Sequence, residues 1–231
     1  MSSSIFSGIM ENNLSLGRHV IINVQTLSPR ANAAVIALGA VALDHRLRTV
    51  ATLHQSIAHG AQPQRSRCTQ KVDWWRTQSH AVRRSSLDAI SQIAPLRALQ
   101  TFVMFVGQHS DTKDVRIWGS SHRNDCAVLA DLFADFQVNL PWVKPNERCL
   151  TTFLELYPKA CDVGPFEGVQ HHALDDATHE AKQLAKALDL HEAHSHMMQA
   201  LERVNKVTSV SGAFMTDGVM TSRRRGYQFQ Y

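Results

Sequence analysis

The chain has 231 residues, of which 44% are hydrophobic and 19% charged, so its composition favours one packed α/β domain without requiring two. Its formal charge of +4 and pI near 9.0 suit a polyanionic partner such as nucleic acid. No apolar run is long enough to span a bilayer, and the N-terminus lacks the features of a signal peptide. We therefore expect a soluble, cytoplasmic protein with no membrane partner.

The N-terminal half predicts an antiparallel meander that follows a flexible segment over residues 1–17. Its three strands are recognised by short apolar, β-branched runs separated by polar turn residues. The predicted strands are His19–Thr26, Ala33–Leu43 and Thr49–Ile57.

The second half is dominated by helical periodicity, with one short strand at Val115–Gly119. In the predicted helix Leu87–Val106, Pro95 is expected to kink or divide the helix, because proline lacks the backbone N–H that continues a helix. The helices are predicted at Val72–Ser79, Leu87–Val106, Asp125–Phe136, Thr151–Tyr157 and Ala173–Leu188, with an extension of the last toward Val204 left open. Three strands followed by helices, one further strand and more helices predict a mixed sheet. One domain is expected over residues 18–205, followed by a basic tail over 206–231 that is either disordered or docks on a partner.

Cysteines and arginines bear on the compartment and on the partner. The four cysteines show no CxxC spacing, which predicts free, mostly buried thiols in a reducing cytoplasm. Arginine clusters favour nucleic acid as the partner, although solvated surface arginines are the alternative interpretation of each cluster. The clusters are Arg65 with Arg67, Arg83 with Arg84, and Arg223-Arg224-Arg225.

Polar side chains occur at the ends of predicted strands and helices. Asn23 and Gln25 are two residues apart on a strand and therefore face the same side of the sheet. Asp125 begins a helix just after a strand, and Asp176 follows His171 by five residues. Taken singly, these residues have ordinary structural interpretations: polar strand ends, a helix N-cap at Asp125, and a solvated helix face at Asp176.

Order and spacing together resemble the DEDDh family of 3′–5′ exonucleases. IINVQT stands at the place of the family's IDxET motif, WGSSHRNDCAVL resembles its second motif, and HHALDDA resembles its third, H-x4-D. The element Trp74-Trp75-Arg-Thr-Gln78-Ser79 is similar to the WWxxQS of a 3′–5′ exoribonuclease branch. The resemblance runs from about residue 19 to 190 and implies a ribonuclease H-like α/β fold, a mixed sheet flanked by helices.

The resemblance also implies roles for individual residues. Asp125 and Asp176 correspond to metal ligands, His171 to the general base, and Asn23 and Gln25 to the two remaining ligand positions. The family's two Mg²⁺ or Mn²⁺ ions, about 3.5–4 Å apart, activate the attacking water and stabilise the leaving oxygen. Substrate-binding roles are implied for Thr26, Trp74, Trp75, Gln78 and Arg123, although tryptophans such as these more often belong to a core.

The chain departs from the family pattern at its first motif. Asn23 and Gln25 keep the shapes of Asp and Glu but lose both charges, so the four-ligand site falls from −4 to −2. We therefore predict weakened or absent metal binding and little or no hydrolysis. Deliberate isosteric replacement and natural loss of activity are both left open as origins of the amides.

Two functions follow from these observations. The first is an exonuclease-fold protein that acts on or binds single-stranded nucleic acid, with RNA favoured over DNA, and that is catalytically impaired. The alternative is a natural pseudo-nuclease that binds nucleic acid or inhibits a partner protein without hydrolysis. The resemblance makes a homodimer plausible, and the basic tail is a candidate contact for a protein partner.

Overall fold

The computed structural model describes residues 17–121 and 125–216, with side chains described as far as residue 206. Within these residues one sheet has the strand order β3-β2-β1-β4-β5. The strands β1 to β3 pair antiparallel with each other, while β1 with β4 and β4 with β5 pair parallel. The strands are β1 His19–Thr26, β2 Val35–Leu43, β3 Thr49–Ser56, β4 Arg116–Gly119 and β5 Glu147–Cys149.

The predicted meander and the mixed sheet are confirmed, and the sheet has one strand that the sequence did not predict. The bounds of β1 agree with the prediction, and those of β2 and β3 differ by one or two residues. The missed strand β5 has only three residues, Glu-Arg-Cys, none of which gives it an apolar or alternating pattern. Its place in the sheet comes from parallel pairing with β4.

The helices of the described residues correct one prediction. Helix α3 begins at Pro95, after residues 87–94 that form turns, so the predicted helix Leu87–Val106 is wrong over its first eight residues. The cause is the proline itself, which fits the first turn of a helix and holds Ala94 before it in an extended conformation (φ −61°, ψ 141°). The helices are α1 Thr69–Thr77, α2 His80–Arg84, α3 Pro95–His109, α4 Asp125–Asp135, α5 Leu150–Leu156 and α6 Ala173–Thr216.

The sheet is covered on both faces, and β1 contributes side chains to both. Val20 and Ile22 belong to a cluster that also contains residues of α3 and α4, including Phe102. Ile21 points to the other face, where it packs in a cluster with Ala177 and other residues of α6. Because side chains alternate along a strand, Asn23 and Gln25 extend from β1 on the same face as Ile21, toward α6.

The chain divides into two compact units, residues 1–188 and 189–231. In the first unit, α6 buries the small face formed by Ala173, Ala177, Ala181, Leu184 and Ala187. In the second unit the described residues continue the helix to Thr216, and none of those from 189 to 206 is buried. The predicted boundaries at residues 17 and 205 stay predictions. No helix among the described residues is both long and apolar enough to cross a membrane.

Two expectations about surface chemistry are corrected. All four cysteines are free, but only Cys126 is fully buried, and Cys161 is exposed. Arg65 does not belong to a surface cluster, because its side chain is buried and its guanidinium pairs with Asp131 and Asp135 of α4. These two carboxylates compensate a charge that is otherwise costly to bury, so Arg65 attaches its loop to α4. The triplet Arg223–Arg225 lies outside the described residues.

Candidate active site

The carboxyl end of β1 presents the two amides of the first motif. Asn23 is paired across the sheet with Gly39 of β2, and this glycine allows the start of α6 to approach the sheet closely. A Cβ atom at residue 39 would lie 2.1 Å from the carbonyl oxygen of Ala173, so no larger residue fits without moving α6. The third motif is thereby brought to the carboxyl end of β1, where Asn23 and Gln25 lie.

Asp125 is fixed at the first residue of α4 by contacts with β1 and with the preceding turn. Its Oδ1 accepts a hydrogen bond from the backbone N–H of Val24 (2.9 Å), and its Oδ2 accepts one from Ser121 (3.1 Å). The side chain is only 5% exposed. Burial raises the pKa of Asp125 to about 6, against the opposing effect of the backbone donors.

The third motif forms a tight turn into α6. His171 adopts a left-handed backbone conformation (φ 67°), which is uncommon for a residue with a side chain. The turn is held from within, because the backbone N–H of His171 donates to Oδ1 of Asp176 (3.1 Å). Burial raises the pKa of Asp176 above its ordinary value. Such strained conformations tend to cluster at functional sites.

Both amides of the first motif use their N–H groups as donors. Asn23 Nδ2 donates to Oε1 of Glu180 (3.3 Å), and Gln25 Nε2 donates to the backbone carbonyl of His171. The remaining oxygen of Gln25, Oε1, is buried and has no hydrogen-bond partner in the structure. The two amides therefore connect β1 to the turn at His171 and to the beginning of α6.

Glu180 is an acidic residue of the site that the motif comparison missed. Burial and then the nearby Asp125 carboxylate raise the pKa of Glu180 to about 8, and its Oε2 is buried without a partner. The sequence signal was its position four residues after Asp176, which places the two carboxylates on one face of α6. The carboxylates of Asp125 and Asp176 thus both act electrostatically on Glu180.

The site opens into a cleft of about 600 Å³ between β1, α1 and the start of α6. A second hollow of about 450 Å³ adjoins it on the other side of Asn23, where Phe166, His179 and Glu180 form part of the wall. The predicted residues that line the cleft are Asn23, Gln25, Thr26, Trp74, Trp75, Asp125, His171 and Asp176.

The two tryptophans of the WWxxQS element differ in their surroundings. Trp75 is 2% exposed, packs in the core, and donates its indole N–H to the carbonyl of Thr26 (2.8 Å). Trp74 is 37% exposed and meets the His171 ring edge-on, with ring centroids 5.1 Å apart. Trp74 is thus the aromatic side chain of the pair that a ligand in the cleft can reach.

The other predicted substrate-binding residues are distributed unevenly. Thr26 lines the cleft, and its hydroxyl donates to the Ser28 carbonyl (2.9 Å). Gln78 is not one of the lining residues; its side chain donates back to the Trp74 carbonyl (3.0 Å) at the end of α1. Arg123 lies outside the described residues.

Lys71 is a second residue that the motif comparison missed. It lines the cleft, and its Nζ lies 4.3 Å from the centroid of the Trp74 ring, within the range of a cation–π contact. Partial burial lowers the pKa of Lys71. The signal in the sequence was its position three residues before Trp74 on one helix, which places both on one face.

The mixed five-stranded sheet flanked by helices matches the ribonuclease H-like fold of DEDDh exonucleases. The model of the family described as "3′-5′ exoribonuclease Rv2179c-like domain" matches residues 18–188, and the chain belongs to that family. The resemblance inferred from the motifs and the predicted fold class are both confirmed.

Individual relatives are more distant. An exodeoxyribonuclease of Enterobacteria phage T4 is 26% identical over 143 residues, which make up 58% of this chain and 62% of the relative. E. coli exonuclease I bound to a dT13 oligonucleotide has a TM-score of 0.51 and 12% identity, over 80% of this chain and 45% of that one. The RNase domain of yeast Pop2 has a TM-score of 0.50 and 14% identity, over 81% of this chain and 83% of that one. The chain therefore spans less than two thirds of the T4 enzyme and less than half of exonuclease I.

DEDDh exonucleases use divalent metal ions, and the donor set of this chain does not fit a metal pair. The amide N–H groups at positions 23 and 25 point to protein acceptors, and both oxygens of Asp125 accept backbone N–H groups. Within residues 17–121 and 125–216, no three His, Cys, Asp or Glu side chains form a group that could hold a metal ion. Of the four ligand positions in the family pattern, two keep a carboxylate, and the nearby Glu180 has its pKa raised to about 8, so the site supplies less negative charge than two dications require.

Proposed function

We propose that this protein holds the 3′ end of a single-stranded nucleic acid, RNA in preference to DNA, in the cleft beside β1, and hydrolyses it poorly or not at all. The observation that carries the proposal is the pair of amides at positions 23 and 25, whose N–H groups donate to Glu180 and His171. The amide oxygens can still ligate a metal ion, but they carry no negative charge, so two of the four charges that compensate a pair of dications are missing. Nucleic acid is thus bound by the walls of the cleft, while the negative charge that a metal pair requires for cleavage is reduced.

The walls of the cleft support binding of a nucleotide chain. Trp74, which is 37% exposed, offers an aromatic surface for base stacking, a contact that every base can make. The ammonium group of Lys71 lies over that ring, 4.3 Å from its centroid, and can pair with a phosphate. The backbone amides and carboxylates beyond them enclose a space of about 600 Å³, enough for one nucleotide and part of the next.

The preference for RNA rests on the family description as an exoribonuclease. The T4 relative is described as an exodeoxyribonuclease, so the affinity for RNA is compared with the affinity for single-stranded DNA of the same sequence. Discrimination between the two requires a contact to the 2′-hydroxyl group. Affinity for both polymers is expected to fall with salt, because each lysine–phosphate contact releases counterions.

The first experiment compares this chain with the Asn23→Asp/Gln25→Glu double variant. Affinity is measured for linear single-stranded RNA, for DNA of the same sequence and for a circular RNA that has no 3′ end. Shortening of 3′- and 5′-labelled RNA is followed in Mn²⁺. We expect the parent to bind linear RNA best and leave it intact, and the double variant to shorten it from the 3′ end.

A matched control introduces the same two chemical changes outside the cleft, at Asn146→Asp and Gln108→Glu, and should leave both binding and cleavage unchanged. Shortening by the parent at the rate of the double variant would refute the loss of catalysis. Equal affinity for linear and circular RNA would refute recognition of the 3′ end. Failure to bind either polymer would leave the pseudo-nuclease that engages a protein as the surviving hypothesis.

A further inference from the structure

The hydrogen bond between Asn23 and Glu180 joins residues 157 positions apart in the chain, one on β1 and the other on α6. In this bond the amide is the donor and the carboxylate is the acceptor. An aspartate at position 23 has no N–H group and could not donate this hydrogen bond, so the contact would persist only if one of the two carboxyl groups held a proton. The identity of residue 180 therefore decides which residue position 23 can accommodate.

We infer that Glu180 is the positioning partner of Asn23, and that this pair joins β1 to α6 where DEDDh exonucleases place a metal ion. The hydrogen-bond partner of the Asn23 amide is therefore Glu180, an acidic residue that is not one of the family's four carboxylate ligands. The pairing does not depend on whether the cleft binds nucleic acid.

The charges around Glu180 strengthen the requirement for a donor at position 23. Asp176 lies one helical turn before Glu180, and Asp125 starts the neighbouring helix α4. Glu180 Oε2 is buried without a partner, while the Asn23 amide donates to Oε1 and the Ser120 side chain also hydrogen-bonds this carboxylate. A further carboxyl group at position 23 would be partly buried beside these three, so it would either add charge in a poorly solvated place or have to hold a proton, and both are costly without a compensating cation.

Gln25 repeats the arrangement two residues along the same strand. Its Nε2 donates to the carbonyl oxygen of His171, on the turn that leads into α6. A glutamate in the same conformation would set its oxygen against that carbonyl oxygen. Both amides of β1 thus donate to acceptors within one segment, residues 171–180, which indicates a matched set of contacts rather than two isolated losses of charge.

The test is a thermal-unfolding cycle without nucleic acid, on the parent, Asn23→Asp, Glu180→Gln and the double variant, each in EDTA and in Mn²⁺. In EDTA we expect Asn23→Asp to lower Tm by about 3–8 °C. Adding Glu180→Gln should recover most of the lost Tm, because the amide at position 180 can then donate a hydrogen bond to the carboxylate at position 23. In Mn²⁺ the Tm of the parent should stay constant, while that of Asn23→Asp should rise as the ion neutralises the added carboxylate.

Glu192→Gln is the matched control, since it makes the same chemical change on an exposed part of the same helix and should not restore the Asn23→Asp variant. An Asn23→Asp protein that is insoluble alone and soluble with Glu180→Gln supports the inference equally. Insolubility of both, no restoration by Glu180→Gln, or a Mn²⁺-dependent rise in the parent's Tm would overturn it. RNA binding is measured separately, so failure of the proposed function would leave this cycle unaffected.

Discussion

At the scale of single residues, the cleft combines one reachable aromatic ring with one nearby cation. Trp74 is in contact with Lys71 on one side and with His171 on another, while its neighbour Trp75 is part of the core. A stacked base on Trp74 would bring its phosphates near the Lys71 ammonium group. Lys71 is therefore expected to contribute electrostatically, and Trp74 through stacking.

Replacing Lys71 with methionine separates these contributions, because methionine keeps the apolar stem and removes the charge. We expect affinity for single-stranded RNA to fall about five- to tenfold at low salt. The slope of log K against log salt should decrease in magnitude by about 0.7, the value for one lost contact to a single strand. Lys113→Met, at an exposed position, is the control and should change neither quantity. An unchanged slope in Lys71→Met would show that Lys71 does not contact phosphate.

At the scale of secondary-structure elements, β1 is the centre of the sheet and of the site. Its carboxyl end carries the amides, while its amino end carries His19, which is only 8% exposed. Nδ1 of His19 accepts a hydrogen bond from the indole N–H of Trp118 on the neighbouring strand β4 (2.9 Å). Burial, and then the nearby arginines led by Arg116, lower the pKa of His19 to about 4.

The lowered pKa of His19 predicts a loss of stability in mild acid. The folded state favours the neutral ring, so its contribution is fully present above pH 6.5 and is lost as pH falls toward 4. Between pH 7 and pH 4.5 we expect His19 alone to cost about 2–3 kcal/mol of unfolding free energy. Urea unfolding should show this loss in the parent and a smaller one in His19→Gln, which can still accept from Trp118. The same loss in both proteins would contradict the prediction, and exposed His45→Gln is the control.

The sequence predicts the bounds of elements that have a strong local pattern. It does not predict elements whose bounds depend on tertiary contacts. The strand His19–Thr26 was predicted with its observed bounds, because β-branched residues mark a buried strand. The start of α3 was misplaced, because apolar spacing continues through residues 87–94 although Pro95 begins the helix. The three residues of β5 have no pattern of their own and gain a partner only from β4.

At the scale of the whole molecule, the site was predictable as far as its residues follow family motifs. The histidine and the two aspartates do meet the two amides at one end of β1, as the motif order predicts. Glu180 and Lys71 belong to no motif, and their importance comes from the side chains that the fold brings beside them. Arg65 was assigned to a basic surface, since sequence alone cannot show that two aspartates of α4 enclose it.

The C-terminal boundary of the packed domain can be measured by limited proteolysis. The predicted domain ends at residue 205, whereas the compact first unit and the family match both end at residue 188. On helix α6, Lys182 pairs with Glu167 (2.6 Å) within the packed unit, whereas Arg203 is exposed in a stretch without buried residues. Because proteolysis follows local opening, limited trypsin digestion read by mass spectrometry should cut after Arg203 at least about ten times faster than after Lys182. Equal rates would place residues 189–205 within the cooperative unit and favour the boundary at 205.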